Sequence, residues 1–364
     1  MKIGWLRPKV KSRVAKILWI TLFWMVISVF QFLASYSTLI QFNYDFTGLN
    51  VIMILKGSII TGFIAGLLGG SFVVLLWGKW LRTKSYGWSL LNILWSYTLV
   101  YLIIAVISGL LFHAIRLDVP MFHLEALQAT LAHLASLIGV YNYLFWLLVV
   151  IVTFIALLVN DKYGPGVFRS FLLGKYFHPK REDRIFMFLD LRGSTVIAER
   201  LGENQYFHFL KDVFRDATPG IINSKGEIYQ YVGDEIVISW KKDSGIRNAN
   251  CLQCFFDIQQ CFLDKASYYR ETFDGIVPEF KAGLHYGFVM TGEIGVVKRD
   301  IAHSGDVLNT TARIQSKCNE LGVNILISKY LLEKLELLPT PFKPTMVGEM
   351  ALRGKQQTVM LYTL

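Results

Sequence analysis

Two short stretches of the chain carry residues that could do chemistry together: Phe188-Leu189-Asp190-Leu191-Arg192-Gly193-Ser194-Thr195 and Tyr231-Val232-Gly233-Asp234-Glu235. Each sets one aspartate where an apolar strand gives way to a glycine. Two such carboxylates on neighbouring strand ends can hold Mg²⁺ or Mn²⁺ against the phosphates of a nucleotide. Metal-assisted phosphoryl chemistry needs that arrangement, because the cation neutralises phosphate charge and helps to activate an oxygen nucleophile. Gly193, Ser194 and Thr195 open a predicted helix, and backbone N–H groups at a helix start form a phosphate cradle. A third stretch, Asn309-Thr310-Thr311-Ala312-Arg313, sets an amide and a guanidinium four residues apart on one predicted helix. Arginine suits a phosphate because its planar fork stays charged. Arg353-Gly354-Lys355 adds further phosphate-directed charge. Each feature has a plainer reading: Asp190 as a helix cap, Asp234 as a turn residue, Asn309 and Arg313 as a solvated helix face. Taken jointly, they favour metal ligation.

The elements that must position these residues read as mixed α/β from Arg184 onward. Ile185–Leu189 is a buried strand, and Ser194–Leu201 and Asn204–Ala217 read as helices. Glu227–Val232 and Glu235–Trp240 flank Gly233-Asp234 as a hairpin. Asn248–Lys265 is helical, Phe280–Tyr286 and Val289–Val297 read as a pair of strands, and Asp306–Glu320 is a helix. Asn324–Ile327 and Thr358–Tyr362 are further strands. Paired strands alternating with helices predict an α+β, ferredoxin-like βαββαβ core, with helices on one face of the sheet. Cys251, Cys254 and Cys261 fall on one helix face and read as core. With Cys318 they imply no disulfide framework, which fits a reducing compartment.

The half before residue 160 is of another kind. The chain is 53% hydrophobic over 364 residues, and the excess lies there. Four apolar segments are long enough to span a bilayer: Ile17–Ile40, Gly57–Trp77, Leu90–Phe112 and Gly139–Val159. The net charge of +10 could suggest nucleic acid. Its position argues against that partner: eleven basic residues face only three acidic ones up to residue 160. They cluster at the N-terminus and around Lys79, Arg82 and Lys84, on one side of the spans. Positive-inside bias puts both termini in the cytoplasm. Gly62, Gly66 and Gly70 form a flat stripe that could pack within the bundle or against a second copy. His113, His123 and His133, ten residues apart, share no helix face and read as solvated rather than as a metal site. The loop between them carries Leu124, Leu127, Leu131 and Leu134 on one stripe of a short helix. The organisation is therefore residues 1–160 as an all-α four-helix membrane region, 161–183 as a connector broken by Gly164-Pro165-Gly166 and Pro179, and 184–364 as a catalytic domain.

The soluble half resembles the class III adenylate/guanylate cyclase catalytic domain. The resemblance rests on three motifs in the family's order: Phe188–Thr195, Tyr231-Val-Gly-Asp-Glu-Ile236 and Gly305-Asp-Val-Leu-Asn-Thr-Thr-Ala-Arg313. It implies a homodimer with sites at the subunit interface. Asp190 and Asp234 of one protomer would hold two metals, Mg²⁺ or Mn²⁺, in each site. Asn309 and Arg313 of the other would orient the ribose and stabilise phosphate charge. Arg353 falls where the family usually has a phosphate-binding lysine. The implied reaction is attack of the 3′ oxygen on the α-phosphate of ATP, giving 3′,5′-cyclic AMP and pyrophosphate. Two positions depart from the adenylate pattern. Gln230 stands where lysine is usual, and Ala302 stands where Asp or Thr is usual; an alanine cannot hydrogen-bond a base edge, whereas a buried glutamine can donate and accept. GTP and pyrimidine nucleotides thus stay open. So do a diguanylate cyclase, from the likeness of Val232–Ile236 to that family's signature, and a non-catalytic cyclase-fold receptor. The expected location is the inner membrane, with the catalytic domain cytoplasmic and an unidentified ligand or membrane partner left open.

Overall fold

The computed structural model describes residues 7–43, 50–77, 85–163, 170, 173–297, 299–335, 338, 342–351 and 358–364. Its chain divides into two units, Lys9–Pro165 and Gly166–Leu364.

The first unit is helical: α1 (Arg7–Gln41), α2 (Val51–Ser71), α3 (Tyr86–Leu117), α4 (Leu124–Ala135) and α5 (Leu137–Tyr163). Four stretches are long and apolar enough to cross a membrane: Arg13–Gln41, Val51–Leu75, Gly87–Leu117 and Leu137–Asn160. The glycine stripe of α2 is taken up inside the chain. A Cβ on Gly62 would stand 2.7 Å from Ser28 Cβ, and one on Gly66 would stand 2.7 Å from Thr21 Cα, so α1 lies directly on the stripe. Polar side chains pin the same helices. Ser28 Oγ donates to Ser58 O at 2.7 Å, Trp24 Nε1 to Thr153 Oγ1 at 3.0 Å, and Gln31 Nε2 to Asn142 Oδ1 at 3.0 Å. Such bonds hold apolar helices together where the hydrophobic effect does not act. In α4 the inward residues are Ala126 and Thr130, the latter against Gly109 of α3, while Leu124, Leu127 and Leu131 face outward. The histidine spacing misled in one respect: His113 on α3 and His133 on α4 meet edge to face at 6.2 Å, because two helices rather than one bring them together.

The second unit is built on a mixed sheet. Its strands are β1 (Lys180–Leu191), β2 (Glu227–Val232), β3 (Glu235–Lys241), β4 (Phe280–Ile294), β5 (Asp300–Ser304), β6 (Ile325–Ser328), β7 (Thr345–Ala351) and β8 (Thr358–Thr363). The order is β2-β3-β1-β4-β6-β8-β7, with β5 paired to β4. The first four strands, all antiparallel neighbours, give the expected ferredoxin-like core.

Strand alternation divides the core in two. Ile185, Met187 and Leu189 of β1 face α6 (Ser194–Asn223) and α8 (Asn250–Asp264), meeting Phe209, Val213 and Phe255. Phe186 and Phe188 face the other way, with Val237, Val289 and Val307. Val307 belongs to α10 (Asp306–Glu320). Helices therefore cover both faces of the sheet, not one. The reason is legible at Gly283 of β4, where a Cβ would lie 2.4 Å from the backbone N of Gln315: the missing side chain lets α10 lie down on the strand. Between α6 and α10 come α7 (Lys242–Ile246) and α9 (Ala266–Thr272). The last helix is α11 (Lys329–Leu332).

A further expectation is corrected. Residues Phe280–Ile294 form one strand, not two, and the hairpin partner of β4 is Asp300–Ser304. Gly287 reads as a break but serves as a close approach, since a Cβ there would press Val307 at 3.1 Å. The two helices expected after Asp190 are both present within α6, separated at Gly202, whose φ of 72° and ψ of 161° are non-helical. Cys251 and Cys254 are core residues of α8, with burial pushing both thiols up to about 12.

Gly283→Ala should lower the unfolding free energy by about 1–3 kcal/mol, because the obstacle is helix backbone that cannot rotate aside. Thermal melts of the full chain in detergent would measure this.

Candidate active site

Asp190 is the penultimate residue of β1. The register sets it between Glu235 of β3 and Lys281 of β4. Its Oδ2 is held twice, by Lys281 Nζ at 2.9 Å and by Gln315 Nε2 at 2.8 Å. It is not a helix cap: Gly193, with φ 66°, occupies that position in α6. Gly193 has open space where a Cβ would be, so glycine is needed there for conformation alone. Ile197 N donates to Gly193 O at 2.9 Å, closing the first turn. The N–H groups before it, those of Ser194 and Thr195 included, have no partner within the helix. Both residues thus sit beside Asp190 at a helix N-terminus, which favours an anion.

Asp234 follows Gly233 in the two-residue turn that joins Val232 to its partner Glu235. Only Gly233 takes a positive φ there, 60°. The turn carries Asp234 to Asp190. Burial first, and then the Asp190 charge, push the Asp234 carboxyl up, while the Ser194 hydroxyl pulls it down. Glu235 is pushed to about 7 by burial and by the same two aspartates. Tyr206, four residues beyond the α6 kink, is raised by burial and then by Asp234 and Asp190. Two converging carboxylates, one of them raised by burial and by its neighbour's charge, offer hard oxygen donors only and fit a divalent cation such as Mg²⁺. Mg²⁺ characteristically takes one or two protein carboxylates and completes its shell with water and phosphate. Among the described residues no third His, Cys, Asp or Glu closes a metal cage by itself.

Asn309 and Arg313 are not brought to this pair. On α10 the residues turned to the sheet are Val307, Thr310, Thr311, Ile314, Gln315 and Cys318. Asn309 is exposed and Arg313 half-buried, on the side away from the sheet. No hydrogen bond or ion pair among the described residues engages the Asn309 amide or the Arg313 guanidinium. Arg353 lies outside the described residues.

Gln230 stands at a β-bulge: Ile228 pairs with Ile238 and Gln230 with Val237, leaving Tyr229 unpaired between them. Gln230 is exposed within the chain rather than buried. Ala302 of β5 pairs with Gly292, and strand alternation turns its methyl away from the ring of the next residue, His303. That ring packs on Tyr229 at 4.8 Å and Phe186 at 5.6 Å. The His303 N–H donates to the Tyr229 hydroxyl at 3.2 Å, which ties β5 to the bulge. Sequence reasoning missed Lys281, Gln315 and His303. Their roles arise from pairing across the sheet and from the packing of α10 on it, for which the local sequence gives no signal. Glu235 stood inside the second motif and was passed over for the aspartate beside it.

The chain from residue 178 to 364 matches the family of the adenylate and guanylate cyclase catalytic domain, and the chain belongs to it. It is 36% identical over 206 residues to adenylate cyclase 2 of Rhizobium meliloti (strain 1021), covering 57% of this chain and 56% of that protein. It is 29% identical over 182 residues to an adenylate cyclase of Anabaena cylindrica, covering 48% of this chain and 35% of that one. The chain thus spans about half or less of the length of these relatives. The structure of a bacterial light-regulated adenylyl cyclase superposes with a TM-score of 0.52 at 20% identity, over 64% of this chain and 67% of that one, and shares the fold.

Burial, and secondarily the Arg184 charge, hold His303 down at about 4, against 6.5 for a free histidine. The unfolded chain therefore takes up this proton first. The stability linked to His303 is complete above pH 6.5 and is lost as pH falls from 6.5 towards 4. His303→Gln should flatten the fall of melting temperature over that window relative to the parent.

Proposed function

We propose that the chain is a membrane-anchored adenylate cyclase, converting ATP to 3′,5′-cyclic AMP and pyrophosphate at two sites shared between two copies. One observation carries this reading. Asp190 and Asp234 converge at a helix N-terminus, while Asn309 and Arg313 lie on the outer side of α10 with no side-chain hydrogen bond or ion pair among the described residues. Each protomer thus offers two half-sites that its own fold keeps apart. A two-fold axis lets each complete the other's, since an isologous interface repeats the same pairing twice.

Asp190 and Asp234 would hold two Mg²⁺ or Mn²⁺ ions. When bound, these ions neutralise triphosphate charge and make the ribose 3′ hydroxyl a better nucleophile. Lys281 and Gln315 fix the Asp190 carboxylate, so that its orientation is set before substrate arrives. The N–H groups at Ser194 and Thr195 receive phosphate oxygens. The partner's Asn309 orients the ribose, and the partner's Arg313 matches the charge that builds on the phosphates. Arg353 is a further phosphate contact. ATP is favoured because the relatives named above are adenylate cyclases. The four apolar helices anchor the protein in the inner membrane, and the basic residues on one side of the spans favour cytoplasmic termini.

Two experiments test this. The full chain should give a cyclic mononucleotide from ATP with Mg²⁺ or Mn²⁺ when the four nucleoside triphosphates are supplied separately and products identified by mass. A cyclic dinucleotide from GTP, or no product from any triphosphate, would sink it. Asp234→Asn and Arg313→Ala should each reduce activity by at least about a hundredfold. Co-expressed, they should recover about a quarter of it, because half the dimers are mixed and each mixed dimer keeps one intact site.

A further inference from the structure

His303 lies outside the machinery just described. It is held more firmly than a surface histidine needs to be. Its Nδ1 lies 2.8 Å from Thr291 Oγ1. Thr291 is fully buried and has one proton to give. A charged acceptor waits for it, Glu182 Oε2 at 3.3 Å. That carboxylate is anchored by the buried Arg184, whose Nε donates to Oε2 at 2.8 Å, and by the Tyr176 hydroxyl on Oε1 at 2.8 Å. With its proton committed to Glu182, Thr291 accepts from the ring, so Nδ1 carries the hydrogen. Arg184 and Glu182 face His303 across the sheet, and the net effect keeps the ring neutral at physiological pH. The neutral ring then has a lone pair on Nε2. No hydrogen bond among the described residues uses Nε2, and His303 is half-buried, its ring packed on Tyr229 of the β2 bulge.

Gln230 follows Tyr229 in that bulge, on the face where the His303 ring packs. Ala302, the neighbouring position where a base contact was expected, has no polar atom and points away.

We propose that His303 is a specificity-determining residue, reading the 6-substituent of the purine by accepting a hydrogen bond at Nε2 from an exocyclic amine. The proposal rests on the reading of this site as a nucleotide cyclase. It supplies what Gln230 lacks. A glutamine amide can rotate to suit either adenine or guanine, but a lone pair fixed by the Thr291–Glu182 chain accepts from the adenine 6-amine and repels the guanine 6-oxygen. Thr291 and Glu182 are positioning residues, since they act by fixing the tautomer.

The test is a comparison of kcat/KM for ATP and for purine riboside triphosphate, which lacks the 6-amine, using the full chain in membranes. The parent should prefer ATP by about tenfold, as expected for one hydrogen bond. His303→Leu should bring that ratio close to one, whereas His303→Gln, whose amide oxygen can take the place of Nε2, should keep most of it. A purely structural role would lower both substrates together and leave the ratio unchanged, and that result overturns the proposal. Thr291→Val gives an independent check that does not touch the ring. It frees the proton to move to Nε2 and should raise GTP use relative to ATP; an unchanged GTP-to-ATP ratio counts equally against the idea. A parent that makes no cyclic nucleotide from any triphosphate would remove the cyclase reading itself, whereas an active parent with an unaltered ratio in both variants removes only the role of His303.

Discussion

Asp190 and Asp234 are brought together by the β1–β3 register and a two-residue turn, and like charges that close raise each other's free energy in a partly buried place. Most of the surrounding architecture answers that repulsion. Lys281 comes from the neighbouring strand and Gln315 from the helix beneath, both onto one oxygen of Asp190. The start of α6 brings its unpaired N–H groups and the positive end of its dipole. Even so, Asp234 and Glu235 remain raised, so the site keeps an unmet demand for positive charge. A site left short of cations by its own chain is suited to receive them with a polyanionic substrate, whose phosphates supply the ligands that the protein withholds.

A second polar centre lies at the other end of β1 and serves register more than charge. Arg184 is 3% exposed and bonds Glu182, Glu227 at 2.7 Å and Ser239 at 3.0 Å, joining β1, β2 and β3. A buried ion pair is weak ground for stability, because desolvation offsets much of its attraction. It does penalise a slipped strand, since a one-residue shift would turn the guanidinium to the face where Ile185 and Met187 pack against α6 and α8. The same network passes through Thr291 to His303 and back to Tyr176, whose carbonyl also accepts from Glu293 N at 3.0 Å. The residues entering the domain are thereby fastened to the strands that carry Gln230 and His303.

How much of this could be read beforehand depended on distance along the chain. The two aspartates, the hairpin between Val232 and Glu235 and the limits of α10 at Asp306 and Glu320 were legible, because glycine placement and 3.6-residue periodicity are local signals. The length of β4 was not, since a glycine that admits a helix looks the same in sequence as one that ends a strand. Gly287 and Gly283 both belong to the first kind. Lys281, Gln315 and His303 were invisible for a related reason. A lysine beside an aspartate on the next strand becomes meaningful only through register, and register is decided by the whole sheet. The exposure of Gln230 follows from the Tyr229 bulge, which no turn residue announces.

These observations meet in α10. Its inner side is set by Gly283, which admits the helix, and by Gln315, which steadies Asp190. Its outer side carries Asn309 and Arg313. In the proposed dimer one rigid helix would therefore serve its own metal site with one side chain and the partner's substrate with two others. A tilt of α10 that moved Arg313 out of the partner's site would also pull Gln315 from Asp190, and the two-fold axis would repeat the loss. Packed interfaces of this kind hold a few discrete arrangements rather than deforming smoothly. Catalytic output would then follow the pairing geometry of the two copies in a nearly all-or-none way, and a membrane region need only bias that geometry slightly to control it.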